Sequence, residues 1–326
     1  MKNNIIKLAA IIAAAPSIIF AQQKELDSTT IERNNQPPSS VTSSDGSNAN
    51  VDTTDAGAQR PIFLKTENIS AFGGIDSKIY YDDNPMRTSG TVLSSVKDAI
   101  WTNTAYLGAG LGQIEITDAV ITPYVGVSLT NTQYMAAGLD ALDYQSTSAY
   151  VMANVQHSNG WSYRAGVSYG SDYNDASKRE TYSEFYPSVG AMKTYSHNED
   201  LLGIFNLSVG YHESKSENAL NSSREDDLDN FDVIASYGLQ YVYQNFIISP
   251  TYSAVFKSYS EDSPSHNDGR EDLIHSLNVR IDYPITNYAR ISLFGGYSKR
   301  DTKSSFADYD FVSGTGGLAL GLNTTF

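Results

Sequence analysis

From Pro61 onward the chain alternates between apolar and polar residues, segment after segment. In "DAVITPYVGVSLT", Ile121, Pro123, Val125, Val127 and Leu129 fall on one side of an extended strand, and Thr122, Tyr124, Gly126, Ser128 and Thr130 on the other. "WSYRAGVSYGSD" sets Trp161, Tyr163, Ala165, Val167 and Tyr169 against Ser162, Arg164, Gly166, Ser168 and Gly170. "FDVIASYGLQYVYQ", "FIISPTYSAVFK" and "LIHSLNVRIDYP" repeat the pattern. At the C-terminal end, "LALGLNTTF" puts Leu318, Leu320, Leu322, Thr324 and Phe326 on one face.

The period predicts about twelve strands, near 68–82, 98–111, 117–130, 145–157, 161–172, 180–196, 201–214, 230–244, 246–259, 271–285, 288–301 and 306–326. The alternation is imperfect over 145–157 and 180–196, so counts of ten or fourteen also fit. These segments are longer than the ~5–6 residues usual in soluble sheets. Their connections alternate in length. Short ones fall at His157–Gly160, Ser196–Asp200, Tyr243–Phe246 and Ile285–Tyr288. Long, charged ones fall around Asp82–Lys97, Asn131–Asp143, Glu213–Asp229 and Glu261–Arg270, with mid-length ones around Asp172–Glu180 and Asp301–Phe306.

A β-sandwich has shorter strands and no such rhythm. Long strands, apolar on one face, with tight turns at one rim and long loops at the other, fit a transmembrane antiparallel up-and-down β-barrel, all-β throughout. In lipid only a closed sheet leaves no unpaired edge. The oily face of "LALGLNTTF" then needs no protein core, because lipid covers it.

Near the end of the first strand stands "KIYYDDNPMR", with Asp82, Asp83, Asn84 and Pro85 in its centre. A first strand followed by Tyr-Asp-Asp-Asn-Pro, about twelve long strands and a C-terminal Phe resembles the β-barrel porin 2 type of outer-membrane protein, over roughly 65–326. The resemblance implies a porin-type barrel with an association to exopolysaccharide export. It carries no functional residues over. Read by itself, Asp82–Pro85 is a strand-ending turn, since Asp, Asn and Pro all favour turns, with a cation site the lesser alternative. A terminal Phe326 resembles the C-terminal signal read by outer-membrane assembly machinery.

Composition narrows the picture. The chain has no cysteine, so disulfides and thiolate metal sites are excluded. Its formal charge is −15, which disfavours nucleic acid as a partner. The 23 tyrosines suit sheets and membrane interfaces, where a ring is half buried and its hydroxyl wet. "MKNNIIKLAAIIAAAPSIIFA" (1–21) reads as a secretory signal peptide, with Lys2 and Lys7 ahead of an apolar run and Ala21 at the cleavage position. Residues 22–60 are polar and read as a disordered periplasmic arm, leaving 61–326 as the barrel. With the signal removed, both ends of the barrel face the periplasm.

Candidate chemistry is sparse. "QHSNGW" (Gln156–Trp161) suggests a barrel hydrolase, but Ser158 directly follows His157 and points to the opposite face. Asn159-Gly160 is instead a tight-hairpin dipeptide. The five histidines are scattered, with no metal-ligand spacing, so no enzyme, metal or cofactor is expected. A translocator domain of an autotransporter requires a passenger upstream and a helix through the pore, and only the polar arm precedes this barrel.

Twelve strands spaced ~4.8 Å and tilted ~40° enclose a cylinder roughly 24 Å across at the backbone, with a channel only several ångströms wide, or none, once side chains enter. Parity turns Arg164, Arg280 and Arg290 into it, near the short turns. One reading makes them a basic constriction for anionic solutes. The other pairs them inside a filled barrel, with Asp282 and Asp118 as partners. The functional expectation is a porin-like channel for small hydrophilic solutes, saccharides among them. The alternative is a surface barrel whose acidic loops bind cations, lipopolysaccharide or host material. Its other expected partners are outer-membrane lipids and the assembly machinery.

Overall fold

The computed structural model describes residues 69–85, 97–137, 139–198, 200–217, 224–225, 228–260, 269–304 and 310–325. The expected signal peptide, the polar arm, Phe326 and most of the long charged connections lie outside the described residues.

Twelve strands form one closed antiparallel barrel. They are β1 (Ser70–Asp82), β2 (Asp98–Gly110), β3 (Ala119–Tyr134), β4 (Tyr144–His157), β5 (Trp161–Asn174), β6 (Arg179–Asn198), β7 (Leu201–Glu217), β8 (Asn230–Tyr243), β9 (Phe246–Tyr259), β10 (Glu271–Pro284), β11 (Ala289–Lys303) and β12 (Phe311–Thr325). Each pairs with the next, and β12 closes the ring on β1 from Phe72↔Thr325 to Asp82↔Thr315. Two short pieces lie beside this wall: Ile114–Ile116 pairs with the start of β3, and Arg224–Glu225 with the end of β7. The expected short-and-long rhythm holds with two adjustments: the β2–β3 connection (111–118) on the short-turn rim is eight residues long and carries the piece Ile114–Ile116, and the β5–β6 connection is shorter than expected. The β5–β6 connection is tight, because both strands run further than their alternation suggests and Lys178 turns the chain with a φ of 56°.

Side chains sort by parity, as a closed sheet demands. Ile75, Leu107, Leu129, Val151, Leu277, Leu293 and Leu322 stand exposed on the outer face. A continuous apolar exterior of this extent needs lipid rather than water as its solvent. Aromatic residues collect outside the short-turn rim: Trp161 stacks on Tyr163 (centroids 6.3 Å), Tyr241 on Tyr243 (6.3 Å), and Phe246 lies 5.3 Å from Tyr283. Half-wet rings at that level match a membrane interface.

The imperfect alternation of β4 and β6 has a physical cause. Tyr150 and Met152 in β4, and Tyr182, Tyr186 and Met192 in β6, are large and largely apolar yet point inward. Phe72, Tyr124 and Tyr150 pack together inside the wall of β1–β4, with Tyr106 and Met152 against them. The lumen therefore has a core of its own on one side. "QHSNGW" makes a turn: the Asn159 N–H donates to His157 Nδ1 (3.1 Å), Asn159 Oδ1 accepts from the Trp161 N–H (3.0 Å), and Gly160 takes φ 82°.

Candidate functional site

The half of the lumen nearest the short turns holds the three arginines expected from the sequence. Arg164 is the fourth residue of β5, Arg280 the fifth from the end of β10 and Arg290 the second of β11. Arg280 Nε donates to Asp282 Oδ1 at 2.7 Å, two residues along the same face, and its Nη2 donates to the Ser292 hydroxyl of β11 at 2.8 Å. Arg290 Nη2 lies 3.4 Å from Asp76 Oδ1 of β1, across the intervening strand β12. That reach exists because β12 presents Gly321 between them. A Cβ there would lie 2.6 Å from Asp76 Oδ1 and 3.0 Å from Arg290 Nε. Arg164 lies against Gly190 of β6 in the same way, its Nε 2.9 Å from where a Cβ would stand.

Asp282 is thus in contact with Arg280, while Arg290 is paired with Asp76, an inward residue that sequence reasoning passed over. Asp118 is exposed in the connection ahead of β3, where its carbonyl accepts the Ser158 N–H at 2.8 Å. Asp118 does not share the inward face expected of it, because β3 begins one residue later. Arg280 and Arg290 keep 41% and 29% of their side chains exposed, so water enters this half of the lumen.

The half nearest the long loops is different. Each of the twelve strands has buried inward residues at that end. Many are charged: Asp232, Lys257, Asp272 and Arg300 have no exposed surface, and Glu184 and His212 almost none. A charge this deep is costly unless paired and hydrogen-bonded, and two networks meet that condition. On one side, His212 of β7 faces Glu184 Oε2 with Nδ1 (2.9 Å) and Asp232 Oδ2 with Nε2 (3.3 Å). The Tyr182 and Tyr186 hydroxyls donate to Glu184 (2.8 Å) and Asp232 (3.0 Å), and the Tyr186 ring stacks on the imidazole at 4.0 Å. On the other side, Arg270 donates to both oxygens of Asp272, and Arg300 lies 3.8 Å from the same carboxylate. Arg270 also covers the Tyr259 ring at 4.5 Å, a cation–π contact. Leu228, carried in from the β7–β8 connection, forms one buried cluster with Tyr182 and Tyr259, which joins the two sides.

This buried ring was not foreseen. Its one available signal was parity: Asp272 shares a face with Arg280, and Asp232 shares one with Asn230 and Ile234, so each continues the lumen face into what reads as charged loop. Outside the strands, burial pushes the Asp143 carboxyl up. The Tyr134 N–H that it accepts (2.8 Å) opposes this, and the carboxylates of Asp175, Asp140 and Asp98 add to it. Among the described residues, no group of three or more His, Asp or Glu is arranged to hold a metal ion.

Known structures share this architecture. An outer-membrane channel from Pseudomonas putida F1 superposes with a TM-score of 0.52 at 8% identity, over 81% of this chain and 99% of that one. The fold is that of an outer-membrane β-barrel. The translocator domain of the autotransporter NalP from Neisseria meningitidis (TM-score 0.43, 10% identity, 80% and 90% covered) and the KdgM porin (0.38, 9%, 76% and 97%) are more distant. No family model matches the chain, and no curated protein matches it in sequence.

Proposed function

We propose that this barrel is an outer-membrane channel for small hydrophilic solutes, with anions favoured over cations, and that it rests in a closed state. One observation carries the reading. The short-turn half of the lumen leaves room for water around Arg280 and Arg290, which stay partly exposed, and is lined by them and Arg164, inside a wall whose exterior suits only lipid. Arg280 and Arg290 also contact Asp282 and Asp76, and it is their exposed remaining N–H edges, with Arg164, that would draw counter-ions into this confined, partly desolvated space. Both barrel ends and the short turns face the periplasm, and the long acidic loops face outside. Acidic saccharides suit a lumen that offers Arg290 with Tyr106 close by, and a link to exopolysaccharide export is consistent with that solute class. The barrel performs no chemistry in this reading.

The buried ring favours a second reading, a surface barrel without an open pore whose acidic loops bind cations or lipopolysaccharide. Planar-bilayer recording separates the two. Under a salt gradient, wild-type openings should reverse on the anion side, and the double variant R280S/R290S should shift the reversal potential towards cations. An unchanged potential with a lower unfolding temperature would make the arginines structural and remove the anion preference. A folded barrel that stays silent at every voltage and pH would establish the second reading.

A further inference from the structure

The structure assigns His212 a role that the channel reading does not contain: we propose that it is a proton-held latch on the buried ring, and that removing its proton opens the lumen. This rests on the channel reading of the preceding section.

Both nitrogens of the His212 ring face carboxylate oxygens, Glu184 Oε2 at 2.9 Å and Asp232 Oδ2 at 3.3 Å. A carboxylate only accepts, so both nitrogens must donate, and only the doubly protonated imidazolium has two N–H groups. The neighbours fix that state. From β6, Glu184, Tyr182 and Tyr186 face the site; from β8, Asp232; from β9, Lys257 lies within electrostatic reach. The tyrosine hydroxyls already donate to the two carboxylates, which holds those carboxylates in their acceptor form. With the imidazolium in place, two cations balance two anions. Without its second proton, a ring lone pair points at a carboxylate oxygen, and the buried group carries a net negative charge.

That local change is coupled across the mouth of the barrel. Glu184 accepts from the Tyr182 hydroxyl, and Tyr182, Leu228 and Tyr259 share one buried cluster. Tyr259 donates to Asp272 at 3.4 Å and lies beneath Arg270. One continuous run of contacts therefore joins the two ionic networks over the lumen. Its opening needs side chains to hydrate and swing aside, while the strand ladders stay intact. Glycine makes room for the latch: a Cβ at Gly210, directly beside Tyr186, would lie 2.3 Å from that ring. The Tyr186–His212 stack occupies space that only glycine leaves free.

The test uses the full-length mature protein in planar bilayers, with the other four histidines replaced by Gln. Open probability should be low at pH 7 and rise by up to about tenfold per pH unit while opening releases the His212 proton, the slope of a single coupled proton, and level off once the closed state has lost it. Nitrogen-15 chemical shifts of His212 in the same protein should report the doubly protonated ring at pH 7 and lose that signature over the same pH range. H212Q, whose amide donates from one side only, should open at pH 7 with no alkaline rise. R270A/R300A, which breaks the ring on the opposite wall, serves as the reference for the pore itself. If R270A/R300A conducts while H212Q stays as silent as the parent, or if the pH 7 spectrum shows a singly protonated ring, the latch is refuted and the channel reading stands. If neither variant conducts, the channel reading fails and the latch falls with it.

Discussion

At the scale of single residues, position on the wall was legible and partnership was not. Alternation alone turned Arg164, Arg280 and Arg290 inward, because a side chain's face in a strand follows from parity. Asp282 was found as a neighbour of Arg280 because the two sit two residues apart on one face. Asp76 was missed as the partner of Arg290 because 214 positions separate them. The contact also depends on an absent side chain, Gly321, between them. Asp143 gives the clearest titration at this scale. Its folded-state pKa is raised above the ordinary value, so its contribution to stability is fully present below the unfolded pKa and is lost as the pH rises through the folded pKa. D143N keeps an acceptor for the Tyr134 N–H and removes the buried charge. It should raise the thermal midpoint of the folded barrel at pH 8 by roughly 1–2 °C and leave it unchanged at pH 3. A drop at pH 8 would show that the carboxylate is held there by a favourable contact.

At the scale of elements, the alternation placed twelve strands to within a few residues, and it weakened where β4 and β6 turn tyrosine and methionine inward. There the lumen has an apolar lining of its own, so both faces of the strand read as hydrophobic. The "YYDDNP" stretch was read as a strand-ending turn, and its contacts show what that turn does. Asp82 Oδ1 accepts from the Asn84 N–H (2.9 Å) and from the Ser313 hydroxyl (2.8 Å). Asp83 exchanges two bonds with Gly314, and Asn84 Nδ2 donates to the Val312 carbonyl at 3.0 Å. These bonds extend the β1–β12 ladder past its end, at the seam where the first and last strands meet. Asp82 is buried, so D82A would strand two donors, each costing about 1–3 kcal/mol. The variant should melt several degrees below the parent in detergent, and D82N, which keeps one acceptor oxygen, should recover most of the loss. An unaltered melt for D82A would mean that the seam is held by the strand ladder alone.

At the scale of the whole molecule, closure, topology and a lipid-covered exterior followed from strand length, parity and the rhythm of the connections. The buried ring did not, because its members come from different strands and its energetics depend on their meeting. His212 lies 28 positions from Glu184 and 20 from Asp232. The central claim is a lumen wetted from the short-turn side and sealed beneath the long loops. The natural chain has no cysteine, so single cysteines report on it without background. Q240C and N278C place thiols on the lumen face below the ring, and S260C places one at the exposed start of the β9–β10 connection. Intact cells treated with a membrane-impermeant maleimide at pH 7 should label S260C and leave Q240C and N278C unmodified. Permeabilising the outer membrane should then allow both lumen sites to react. Labelling of Q240C and N278C in intact cells as fast as S260C would contradict the account, because it would mean that the lumen is open from end to end.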